Sequence, residues 1–136
     1  MAEALLRRID GEHFEAMSAG TSCARLHPLA VEVMKEIGID LGLPVPRTVQ
    51  ELQNDDFDYV ITLGERATTH YRNFTRAEMI HWRLDDLVAM PNDPEKQLRA
   101  FRLVRDQIAQ RLNLFVLVLT RQASLRPGLL RAQAAP

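Results

Sequence analysis

Few residues in this chain could do chemistry, and their spacing narrows the choice further. Cys23 is the one thiol among 136 residues. A lone cysteine can neither close an intramolecular disulfide nor build a cysteine-based zinc site, and it fits a reducing, cytoplasmic compartment. It reads as an ordinary loop or half-buried thiol. The four histidines include no pair at metal-ligand spacing, so no metal is expected, and no cofactor either. His27 stands before Pro28 at a helix start and His81 before Trp82 in a strand; both read as capping or structural groups. Asp85 and Asp86 follow that strand. Paired carboxyls there are either a solvated turn or the source of a proton donor for a leaving oxygen.

The bulk properties exclude several function classes. The length suits one domain with a real core. Apolar residues make up 46% and charged residues 26%, the balance of a globular protein. Net charge is −1 with acids and bases interspersed, which leaves no basic footprint for nucleic acid. The opening stretch carries Glu3, Arg7 and Arg8 and has no secretory pattern. The longest apolar run, Leu114 to Leu119, is too short to span a bilayer.

These residues must be positioned by elements that the patterning outlines. Leu5, Leu6 and Ile9 make residues 1–9 a short amphipathic helix. His13 to Met17 alternates as a short strand running into the loop Ser18-Ala19-Gly20-Thr21. Pro28 opens a helix whose apolar face is Leu29, Val33 and Ile37, closed by Gly38. Residues 41–47 hold Gly42, Pro44 and Pro46 and form an extended connector. Thr48 and Glu51 form a capping-box pattern, and Asn54 to Asp58 is an acidic turn. Tyr59-Val60-Ile61-Thr62-Leu63 has the composition of a central parallel strand. Met79 to Trp82 is a second short strand. Pro94 opens the longest helix, with Leu98, Phe101, Val104, Arg105, Ile108 and Leu112 on its buried side. The expectation is an α/β fold with a small parallel sheet flanked by helices.

Several of these runs, in order and at matching spacing, resemble the low-molecular-weight tyrosine phosphatase and thioredoxin-coupled arsenate reductase family. They are Met1 to Arg7, Ser18 to Thr21, His27 to Gly38, Asp58 to Thr62, His81-Trp82 and Phe101 to Asp106, within residues 1–112. The resemblance implies a four-stranded parallel sheet and phosphoryl or arsenate chemistry on a C-x5-R loop. In such a loop, backbone N–H groups and an arginine cradle an oxyanion at a helix N-terminus and lower the thiol pKa. It also implies that Asp86, four residues after Trp82, is the general acid, with Leu87 where the family has proline.

The family places its first strand and C-x5-R loop just ahead of the helix that opens this chain. Cys23 is no replacement, since the residue six positions on is Leu29. The reductase branch's two shuttle cysteines would fall near Gly64 and Tyr71, so no thioredoxin-linked cascade is expected within the chain. The first strand is therefore either missing or replaced by residues 113–120. In the replacement, Leu114 to Leu119 is a strand, and Thr120 to Arg126 is a loop at C-x5-R spacing with Thr120, Ser124 and Arg126 binding an anion. In the other reading the long helix simply continues, since Ile108, Leu112, Phe115 and Leu119 keep helical spacing. On either, residues 1–112 form the family-like domain and 113–136 an extension and tail of it.

The expected protein is a truncated or pseudo-enzyme member that binds phosphate, arsenate or a phosphorylated protein weakly. The alternatives are an active phosphatase or arsenate reductase in a form carrying the missing segment, and an interaction module that dimerises through residues 112–120.

Overall fold

The computed structural model describes residues 1–22, 25–64, 74–87, 90 and 92–125. Its elements are α1 (Ala2–Asp10), α2 (Pro28–Glu36), α3 (Val49–Leu52), β1 (Tyr59–Thr62), β2 (Glu78–His81) and α4 (Pro94–Leu125). The architecture is α/β, with a small parallel sheet and helices packed against it, as the patterning predicts.

Local chemistry sets each boundary. α1 buries Leu5 and Leu6 and carries a Glu3–Arg7 ion pair of 2.6 Å on its other side. It ends at Gly11, where a Cβ would sit 2.5 Å from the Arg7 carbonyl oxygen. α2 starts at Pro28, capped by His27, whose Nδ1 accepts the Leu29 N–H at 3.2 Å while its ring stacks on Phe101. It stops in a Schellman motif: Gly38 adopts φ +75°, its N–H bonds to the Lys35 carbonyl, and the Ile39 N–H to that of Met34. The predicted capping box forms at α3, where the Thr48 N–H donates to Glu51 Oε2 at 2.8 Å.

β1 and β2 pair in parallel with Tyr59 opposite Glu78 and Thr62 opposite His81. β2 begins one residue earlier than the sequence suggests, although the Trp82 N–H still bonds to the Thr62 carbonyl at 2.8 Å. β1 is covered on both faces. Ile61 joins a core built from α1, α2 and α4, while Val60 faces a second cluster with Val49, Leu52, Phe57 and Phe74. The expected strand at His13 to Met17 is an irregular segment with Phe14 and Ala16 buried and His13 and Glu15 exposed, and a parallel bridge from Gly20 to Thr48 follows it.

α4 settles the two readings of the C-terminal region, because it runs unbroken through residues 113–120. Asp93 caps its start, accepting the N–H groups of Glu95 and Lys96. After Pro94 there is no proline or glycine until Pro127, so nothing in the sequence breaks the helix between them. Ile108, Leu112 and Leu119 stay buried along one face, and the Phe115 ring packs 5.9 Å from Phe14 and 5.3 Å from Tyr59. The replacement strand at 113–120 is therefore corrected to helix: every third or fourth residue points inward, where a central strand would need its whole run covered.

Candidate functional site

A parallel sheet binds ligands beyond the carboxyl ends of its strands. Here those ends are Thr62 and His81, paired in register, and the segment leaving β2 carries Asp86. This exit is braced from both sides. The buried Thr62 hydroxyl lies 2.7 Å from His81 Nδ1. Arg111 of α4 places its guanidinium 5.9 Å from the Trp82 ring centre and donates to the Arg83 carbonyl at 3.3 Å. Asp86 itself is exposed.

Sequence patterning points to neither brace. Thr62 and His81 lie 19 residues apart and meet only through strand register. Arg111 lies a helix away from Trp82, and an arginine on a helix usually signals solvent exposure.

The expected anion loop at Thr120 to Arg126 is described only as far as Leu125. Thr120 and Ser124 lie within α4, and their hydroxyls point back along the helix. Thr120 Oγ1 donates to the Val116 carbonyl at 2.8 Å, and Ser124 Oγ to the Thr120 carbonyl at 2.9 Å. Backbone N–H groups inside a helix are spent on the i−4 carbonyls and cannot converge on an anion. Arg126 and Cys23 lie outside the described residues.

The Ser18 to Thr21 loop is held to α1. Ser18 Oγ donates to Glu3, whose other oxygen pairs with Arg7, and Arg7 in turn donates to the Ala16 carbonyl at 3.0 Å. An open groove of about 590 Å³ lies beside that arginine, lined also by Glu12, His13 and Glu15. Its single arginine is already committed to Glu3 and the Ala16 carbonyl, and its lining carries two carboxylates, Glu12 and Glu15, which oppose an anion there. Among the described residues no group of histidine, cysteine or carboxylate side chains could hold a metal.

A family model described as low molecular weight phosphotyrosine protein phosphatase matches residues 1–125. An arsenate reductase of Halalkalibacterium halodurans is 33% identical over 116 residues, covering 85% of this chain and 84% of its own length. Among solved structures, an arsenate reductase in the intermediate state superposes with TM-score 0.71 at 25% identity, covering 87% of this chain and 86% of its own. Another, in the phosphate binding state, gives TM-score 0.67 at 27% identity over 85% of this chain and 84% of its own.

Proposed function

Since the chain belongs to the low molecular weight phosphotyrosine protein phosphatase family, we propose that these 136 residues form a catalytically impaired member with at most weak binding of phosphate or arsenate. One observation carries the reading. The chain's one cysteine has Leu29, not arginine, six positions on, and the nearest stand-in, Thr120 to Arg126, is helical as far as Leu125. Without a C-x5-R cradle there is no thiolate at a focused positive field and no ring of N–H donors for the transition state. Asp86 keeps the place of the general acid, so proton donation outlives nucleophilic attack. Arsenate reductases dominate the similarity, and one such structure is in a phosphate binding state, which supports a tetrahedral oxyanion, free or on a phosphorylated protein, as the ligand class. A cytoplasmic location fits the lone thiol.

The test is a titration of phosphate and arsenate into the labelled chain, followed by backbone amide shifts, with p-nitrophenyl phosphate turnover measured alongside. Dissociation constants weaker than about 1 mM and no turnover are expected. Micromolar saturation, or turnover above the buffer rate, sinks the reading. The alternative, phosphatase or arsenate reductase activity in a form carrying a strand and C-x5-R loop ahead of Met1, requires turnover by that form alone.

A second reading rests on α4. Leu114, Leu117 and Val118 are more than half exposed on its last turns. They support self-association through residues 112–120, with or without an anion site.

A further inference from the structure

The segment leaving β2 alternates before it turns. Trp82, Leu84 and Leu87 pack against the core built from α1, α2 and α4, while Arg83, Asp85 and Asp86 are exposed. An extended chain sends successive side chains to opposite sides, so strict alternation after Leu84 would point residue 86 inward. Instead the next inward residue is Leu87, and two carboxyls in a row face solvent.

The N-terminal side of this pair is held through the backbone. The Trp82 N–H bonds to the Thr62 carbonyl at 2.8 Å, and Arg111 donates to the Arg83 carbonyl at 3.3 Å. Beyond Asp86 the hold is of another kind. Among the described residues the Leu87 N–H makes no backbone hydrogen bond, and the leucine side chain is what packs on the core. Its apolar area leaves water only if residue 87 keeps its place. With the chain fixed at 83 and at 87, little freedom is left to the acid between them.

A proline at 87 would restrain the same point differently, by fixing its own φ and keeping residue 86 extended. Leu87 stands where the family resemblance implies that proline. Side-chain burial here supplies the restraint that a ring would otherwise supply.

We propose that Leu87 is a positioning residue for Asp86, whose burial breaks the alternation after Leu84 and turns the Asp86 carboxyl outward beyond the carboxyl end of the sheet. Its catalytic sense rests on Asp86 as the general acid, but the placement is testable without turnover.

The experiment measures backbone amide order parameters in the labelled 136-residue chain. Asp85 and Asp86 are expected at about 0.85 in the wild type and below about 0.6 in Leu87→Ala. If Leu87→Ala does not stay folded, Leu87→Val, which shortens the same side chain, is read in its place. Leu87→Pro is the deciding variant. Proline loses packing as alanine does but restrains the backbone, and order parameters within about 0.1 of wild type are expected. A loss of order as large in Leu87→Pro as in Leu87→Ala would make Leu87 a core residue only and overturn the proposal. Unchanged order in Leu87→Ala, or mobile aspartates already in the wild type, overturns it too. Asp86→Asn separates the placement from the acid role: it removes the acid and should leave both order parameters unchanged. A drop there as large as in Leu87→Ala would assign the order to the carboxylate's own contacts and sink the proposal.

Discussion

Glu36 at the end of α2 gathers two arginines from α4. Arg102 Nε donates to it at 2.9 Å, and Arg105 Nη1 at 3.1 Å while also donating to the Val33 carbonyl at 2.8 Å. The hydrogen bond from Arg102 leads the effects that hold the Glu36 carboxyl below its ordinary range. A carboxyl with a lowered folded pKa contributes stability above its unfolded pKa and loses it as pH falls through the folded value. Glu36→Gln should therefore lower the melting temperature at neutral pH, and the gap from wild type should close as the pH drops below the carboxylate range. A gap that persists in acid would mean that shape, not charge, matters there. Asp86 yields a prediction of another kind. In a form that carries a C-x5-R loop, Asp86→Asn should cut kcat about a hundredfold, and more for poor leaving groups than good ones. An equal loss across leaving groups would remove it from the acid role. At this scale the sequence discloses residue types and neighbours in the chain. It does not disclose the Thr62–His81 bond or the Arg111 brace, which need partners brought from 19 and 28 or more residues away.

For the elements, α4 is the informative case. At 1.5 Å per residue its 32 residues extend about 48 Å, long enough to serve α1 and α2 and then Phe14 and Tyr59 in turn. The helical periodicity makes a sharp prediction. Phe115→Ala should cost about 2 kcal/mol, somewhat below a fully buried phenylalanine, and Leu119→Ala about 3 kcal/mol. Leu114→Ala and Leu117→Ala should stay within about 0.5 kcal/mol, since both side chains are more than half exposed. Urea denaturation checks all four. Similar losses at 114, 115, 117 and 119 would instead describe a strand covered on both faces. Most boundaries were legible because the punctuation is local: Pro28, Gly38, the Thr48–Glu51 cap and Pro94 act within a few residues of themselves. The segment from Leu114 to Leu119 was not, since a short apolar run fits a central strand or a buried helix equally well until its neighbours are known.

As a whole molecule, the protein exposes Leu114, Leu117 and Val118 on α4, within a run free of charge from Leu112 to Thr120. No helix among the described residues is long and apolar enough to cross a membrane. Sedimentation velocity over a concentration series should show a dimer at about 0.1 mM that Leu117→Lys converts to monomer. A monomer at every concentration would leave those side chains as bare surface. The sequence by itself determined the family and the α/β class, because these rest on residue identity, local punctuation and runs in fixed order. Tertiary structure alone decided that residues 113–120 are helix, that Thr120 and Ser124 spend their hydroxyls on that helix, and that Phe115 packs against both Phe14 and Tyr59. The physical reason is that an apolar run states only that it must be buried. Which surface is available to bury it, and hence which period it adopts, is set by elements far away in the chain.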